Sequence, residues 1–148
     1  MRLSFVGVEG IPMVQPGDDL AVLILDALTE MGEALTDDDV IVLAQKIVSK
    51  AENRYLDLRT VTPSEEACRL AKEVDKDPRK VQAILDESNE VVRKREGVLI
   101  VEHRLGFVQA NAGIDQSNIS HEEDDEDNLC LLLPVDSDTS ARALREEI

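Results

Sequence analysis

The sequence predicts an α+β fold, a mixed sheet with packed helices including a helical hairpin, and three observations predict it. Short apolar runs such as Val40-Ile41-Val42-Leu43-Ala44 and Val98-Leu99-Ile100-Val101 have strand character. Between them lie stretches with helical spacing and recognisable caps, among them two consecutive ones that read as a hairpin. Strands and helices follow one another without a strict βαβ repeat, which separates this chain from a doubly wound fold.

The elements follow in order. Leu3-Ser4-Phe5-Val6-Gly7-Val8 reads as a first strand, and Glu9 to Gly17, with Gly10, Pro12, Pro16 and Gly17, as a loop. Asp18 or Asp19 caps a helix from Leu20 to about Met31, with Val22, Leu23, Ile24, Ala27, Leu28 and Met31 on its apolar face. Asp37-Asp38-Asp39 is a polar turn before Val40 to Ala44, a strand expected to be buried on both faces. Tyr55 to Val61 alternates weakly, as an edge strand does. Thr62 is placed as the cap of the next helix, with Pro63 in its first turn and Glu65 closing a capping box. Asp77-Pro78 opens the second helix of the hairpin, with Val81, Ile84 and Leu85 inward. Val98 to Val101 and Phe107 to Ala110 are strands joined through Leu105-Gly106. Leu129 to Pro134 is a last buried strand, and Asp138 caps a final helix through Ala141 and Leu144.

Composition limits the function. The 148 residues fit one ordinary domain, and 43% hydrophobic residues suffice for a core that Val, Leu, Ile and Ala must build, since aromatics are 2%. A net charge of -16 repels phosphate backbones and argues against nucleic-acid binding. Cys68 and Cys130 form no CxxC pair, so a reduced, cytoplasmic setting without structural zinc is expected. No signal-peptide pattern or membrane-length apolar run is found. The run Glu122 to Asp127 lacks the alternation of a calcium loop and reads as a flexible, solvated loop at about 119–128. His121 beside it reads as a surface residue, while His103 at a strand end reads equally as structural or functional.

No GxxxxGK or GxGxxG motif is present. Three other segments carry chemistry. Gly10-Ile11-Pro12-Met13 is a turn that exposes backbone N–H groups, or an ordinary connection. In Gln45-Lys46-Ile47-Val48-Ser49-Lys50, Lys46 and Lys50 lie four apart and share a face on a helix. They suit phosphate oxygens, or form a solvated basic face. Asn111-Ala112-Gly113-Ile114-Asp115-Gln116-Ser117-Asn118 is either a polar turn held by Asx hydrogen bonds or an oxygen-rich turn able to offer one carboxylate to Mg²⁺ or Mn²⁺.

In this order, Gly10-Ile11-Pro12, Pro16-Gly17-Asp18-Asp19-Leu20, Val48-Ser49-Lys50-Ala51-Glu52, Pro63-Ser64-Glu65, the Asn111 to Asn118 segment and Leu132-Leu133-Pro134-Val135-Asp136 resemble the coenzyme F-420-0:L-glutamate ligase (γ-glutamyl ligase) family. The resemblance runs from Val8 to Arg145, and the versions at Ala44 to Lys50 and Glu102 to Gly106 look more bacterial than archaeal. It implies that residues 1–148 are the amino-terminal portion of a larger ligase fold. It further implies a GTP- and metal-dependent enzyme that adds L-glutamate by γ-linkage to coenzyme F-420-0 through an acyl phosphate, and that works as a homodimer. By position, Ile11, Pro12, Met13, Val14, Gln45, Lys46, Lys50 and Asn118 are implied to contact GTP, and Asp115 to bind Mg²⁺ or Mn²⁺. Gln45 and Lys46 stand where some members have small hydroxyl residues. The chain ends before the family's Thr-Asp-Thr-type strand, which carries further metal ligands, and before its Gly-rich nucleotide loop. The acidic run is an insertion. A complete active site is therefore not expected from these residues alone, and a noncatalytic nucleotide- or partner-binding module of the same fold is the alternative.

Overall fold

The computed structural model describes residues 3–117, 119 and 127–148. It divides into two compact units, one made of Met1–Arg54 with Pro134–Ile148 and one of Tyr55–Leu133. In chain order the elements are α1 (Leu20–Met31), α2 (Gln45–Ala51), β1 (Tyr55–Asp57), α3 (Glu65–Val74), α4 (Pro78–Asp86), β2 (Ser88–Arg95), β3 (Val98–His103), β4 (Val108–Ala110), β5 (Leu129–Leu131) and α5 (Ser137–Glu147).

The first unit contains α1, α2 and α5. Asp19 caps α1 by accepting the Val22 N–H at 3.1 Å, and Gly32 ends it with φ +72°, a conformation glycine adopts without Cβ strain. The buried face of α1 is Ala21, Ile24, Ala27 and Leu28, a narrower stripe than expected, with Val22 and Met31 turned outward. Asp136, not Asp138, caps α5 by accepting the Thr139 N–H; Asp138 lies in the first turn, where a carboxylate favours the helix dipole.

Two expected strands are not formed. Leu3 to Val8 and Val40 to Ala44 carry no regular secondary structure and have no ladder partners among the described residues, and Phe5, Val40 and Val42 are 89%, 84% and 85% exposed. An apolar run gains strand status only from a neighbouring strand that takes up its backbone hydrogen bonds, and no described strand does so here.

The second unit holds most of the hydrophobic core. The α3–α4 pair is the expected helical hairpin, although Ser64 rather than Thr62 caps α3, through the Ala67 N–H at 3.1 Å. The Ser64 N–H donates to Gln82 Oε1 at 2.9 Å, so the cap is tied to the partner helix instead of closing a capping box with Glu65. Ala67, Leu70, Ala71, Val74, Val81 and Ile84 of the hairpin pack with Leu99, Val101, Cys130 and Leu132.

Among the described residues the mixed sheet is not observed. The described residues form two small antiparallel sheets, one of order β1-β5 and one of order β2-β3-β4. Strand β2 was not anticipated; it pairs with β3 from Ser88 opposite His103 to Arg95 opposite Val98. Short turns at Gly97 (φ +74°) and Gly106 (φ +88°) join these three strands. So short a connection can only reverse the chain, whereas a parallel neighbour needs a crossover of roughly a dozen residues or more.

Candidate functional site

In the first unit the expected nucleotide contacts sit on two segments. Gly10 (φ +82°) turns the chain into Ile11 and Pro12; Ile11 is half-buried, Pro12 and Met13 are exposed, and Val14 is buried. Asp18 Oδ2 accepts the Gln15 N–H at 2.7 Å, and the Gly17 N–H donates to Ala51 O at 2.9 Å. That last bond ties the end of the loop to the end of α2, so the fold connects the segment of Ile11 to Val14 with the segment that carries the lysines.

Within α2, Gln45 Nε2 donates to the buried Ser49 Oγ at 2.5 Å, so the Gln45 amide is engaged inside its own helix. Lys46 is half-buried. Lys50 is 5% exposed, with no ion pair to it among the described residues. A buried lysine is uncommon because taking an ammonium out of water is costly unless a counter-charge meets it. An anionic ligand is one such counter-charge.

Asp115 belongs to the second unit. Its N–H donates to Leu131 O at 3.0 Å and the Leu131 N–H returns to Asp115 O at 2.8 Å, an isolated antiparallel bridge beside β5. Its Oδ1 accepts from the Ser117 N–H at 2.8 Å and from Ser117 Oγ at 2.7 Å, which is the Asx turn that the sequence allowed. The chain reaches this point through Asn111, Ala112 and Gly113, whose φ angles are +53°, +52° and +69°. A left-handed alanine costs roughly 1–2 kcal/mol. Ala112 is held there by complete burial in the core. Strain of this kind collects beside functional groups, because the surrounding packing can fix a side chain in a position that a relaxed turn would not give it.

Among the described residues, no group of three or more His, Cys, Asp or Glu side chains comes together as a metal site. The described residues thus fit a divalent cation only as the single carboxylate of Asp115. That is the contribution expected toward an ion that keeps waters and ligand oxygens for its other positions. Asn118, His121 and most of the Glu122 to Asp127 run lie outside the described residues.

His103 proves structural in its contacts. It is fully buried, stacks on Phe107 with centroids 5.1 Å apart, and accepts the Leu105 N–H on Nδ1 at 3.0 Å. Its Nε2 faces Glu87 Oε2 at 3.5 Å, and Arg104 Nε meets the same oxygen at 3.2 Å.

One feature of the second unit was not singled out from sequence. Lys76, Asp77, Arg79 and Lys80, at the turn from α3 into α4, line a cleft of ≈ 780 Å³ together with Gln116 and Ser117. The closely spaced cations on either side of Asp77-Pro78 were the available signal. Arg79 is fixed there by Asp77, with Nε at 3.0 and 3.1 Å from the two carboxylate oxygens and Nη1 at 3.1 Å from Asn128 Oδ1. The Arg79 side chain holds the Asp77 carboxyl below the usual carboxylate range.

The described residues thus form an α+β framework that carries, in separate units, a carboxylate beside a left-handed turn and a buried lysine on a short helix. The model of the F420-0:Gamma-glutamyl ligase family matches residues 10–148, and the chain belongs to that family. It is 48% identical over 144 residues to the coenzyme F420:L-glutamate ligase of Methanothermobacter thermautotrophicus, covering 97% of this chain and 55% of that protein. The proteins of the same name from Haloarcula marismortui and Archaeoglobus fulgidus are 41% and 40% identical, over 99% and 100% of this chain and 54% and 55% of theirs. The chain thus spans about 55% of the length of these relatives. All three come from archaea, so they lend no support to the bacterial character read at Ala44 to Lys50. No helix among the described residues is long and apolar enough to cross a membrane.

Proposed function

We propose that this chain is the amino-terminal part of a GTP-dependent ligase that joins L-glutamate by γ-linkage to coenzyme F-420-0. The observation that carries the reading is the family match over residues 10–148, supported by relatives named as coenzyme F420:L-glutamate ligases. In this reading the F-420-0 carboxylate oxygen bonds to the γ-phosphorus of GTP while the bond to GDP breaks. The glutamate nitrogen then bonds to the acyl carbon, and phosphate leaves with the electron pair of the C–O bond while the nitrogen gives up a proton.

A bound Mg²⁺ or Mn²⁺ would neutralise charge on the transferring phosphoryl group. This chain's part is positioning. Ile11 to Val14 lie against the nucleotide, Lys46 and Lys50 meet phosphate oxygens, and Asp115 gives its carboxylate to the cation. Gln45 serves through its backbone and through orienting Ser49, since its amide is engaged there. Asn118 completes the nucleotide contacts by its place in the family motif. The working form is a homodimer in a cytoplasmic setting.

The test is calorimetric titration of the chain with GTP, with and without Mg²⁺. Metal-dependent binding that Lys50→Ala weakens supports the reading. GTP affinity that Lys50→Ala leaves unchanged removes it.

A further inference from the structure

The cleft at the α3–α4 turn has no role in the reading above. We propose that it binds the phosphate groups of an organic ligand between the Nζ atoms of Lys76 and Lys80. Nothing in this depends on Lys50 or Asp115 holding a nucleotide.

Charge is the first argument. In a chain of net charge -16, Lys76, Arg79 and Lys80 fall within one short turn and line the same cleft. Among the described residues two carboxylates, Asp77 and Asp127, also line it. Asp77 is committed: it accepts the Arg79 N–H at 2.7 Å as the cap of α4, and its Oδ2 meets Arg79 Nη2 at 2.5 Å. The two charges of that pair cancel locally. Among the described residues that line the cleft, Asp127 is then the one carboxylate left beside Lys76 and Lys80.

The two lysines also work against each other. Burial first, and the Lys80 charge second, pull Lys76 below the ordinary lysine range. Lys76 has no ion-pair partner among the described residues. Lys80 Nζ donates to Gln116 Oε1, another lining residue, while Gln116 Nε2 donates to Asp127 O at 3.3 Å. An ammonium has three hydrogens, so Lys80 keeps two for a ligand. A dianion between the two ammonium groups removes their repulsion and gains charge-assisted hydrogen bonds.

The ligand class follows from donor type and size. Flexible ammonium point charges suit the rotating oxygens of a phosphate, whereas the planar fork suited to a carboxylate, Arg79, is already taken by Asp77. The volume of ≈ 780 Å³ lies within the range of small-molecule sites and exceeds what a lone phosphate needs. Ser117, whose hydroxyl is bonded to Asp115, also lines the cleft, so a ligand here lies alongside that turn.

The experiment titrates the chain with inorganic pyrophosphate and follows heat and amide NMR shifts. Binding is expected with shifts centred on Lys76 to Lys80 and on Gln116 and Ser117. The double variant Lys76→Gln, Lys80→Gln should bind about tenfold more weakly, since a charge-assisted hydrogen bond is worth roughly 1.5 kcal/mol or more. Lys72→Gln, which removes the same charge from an exposed position of α3, should leave affinity within about twofold, as expected of a screened surface charge. Far-UV circular dichroism checks that each variant folds. No binding at millimolar pyrophosphate overturns the proposal, as does a double variant that binds like the parent or a Lys72→Gln loss equal to it. Displacement of pyrophosphate by GTP makes the ligand a nucleotide; retention of pyrophosphate makes it another phosphorylated compound.

Discussion

Replacing Gly113 with alanine tests the idea that the turn before Asp115 is strained and tightly packed. Gly113 has φ +69°, and a Cβ built on it falls 2.2 Å from Gln109 Nε2 and 2.9 Å from Leu133 Cδ1. The first contact is the end of a flexible side chain whose buried nitrogen has no hydrogen-bond partner, so Gln109 can swing aside at little cost. Leu133 must then shift as well. Its movement is an overpacking change, for which about 1–3 kcal/mol is typical. The left-handed backbone adds roughly 1–2 kcal/mol that no side-chain movement relieves. The expected loss is therefore about 2–5 kcal/mol, a large part of the ~5–15 kcal/mol that holds a domain folded. Urea unfolding followed by far-UV circular dichroism measures it. Gly7→Ala is the control, since nothing lies within 4 Å of its Cβ and its φ is not left-handed; it should change stability by less than about 0.5 kcal/mol. If Gly113→Ala unfolds at the same urea concentration as Gly7→Ala, the strain argument fails.

Four further outcomes are expected. In the whole ligase, Lys50→Ala and Asp115→Asn should each lower turnover by about 100-fold or more, the scale of losing a group that meets transition-state charge; steady-state rates of glutamate addition at the normal level would contradict the assignment. The asparagine keeps an oxygen for Ser117, so its circular dichroism spectrum should match the parent's. Asp77 has a depressed carboxyl pKa, caused first by the Arg79 side chain, so its stabilising contribution is complete above the ordinary value of about 3.9 and lost as pH falls through the folded value. Urea midpoints should therefore hold between about pH 7 and 5 and fall below about pH 4, with a shallower fall in Asp77→Asn; equal slopes would exclude this source. Burial pushes the Cys130 thiol up to about 11, whereas Cys68 is exposed. A thiol reagent at pH 8 should modify one cysteine in the native chain and both in urea, as read by mass spectrometry. Ser64→Ala should cost about 1 kcal/mol by removing the α3 cap, measurable by the same urea assay.

Comparison of particular elements shows where sequence reasoning reaches. Helix α1 came out with its expected ends, because Asp19, an apolar stretch and Gly32 are local signals that act within a few residues. The Asp77-Pro78 start of α4 is legible for the same reason. The Thr62 cap was misplaced by two residues, since the choice between Thr62 and Ser64 turns on a bond from Ser64 to Gln82, which lies on another helix. Strand β2 escaped notice because Ser88 to Arg95 is mostly polar and exposed, and its pairing with β3 is what makes it a strand. The reverse holds at Val40 to Ala44, where a strongly apolar run has no ladder partner among the described residues. The candidate site divides in the same way. Lys50 and Asp115 stood out through ordered motifs. That Lys50 is buried, that Gln45 spends its amide on Ser49, and that Lys76 and Lys80 share a cleft with Gln116 became visible only in three dimensions.

By itself the sequence determined the family, the caps and turns that start and stop most helices, and the segments that carry charge and carboxylate, because these depend on the identity and spacing of near neighbours. Only the tertiary structure decided which apolar runs became strands, that the sheets are antiparallel rather than mixed, and how Asp115 is held on Leu131 after a left-handed turn. Those outcomes rest on hydrogen bonds and packing between residues far apart in the chain, whose energies no local pattern encodes.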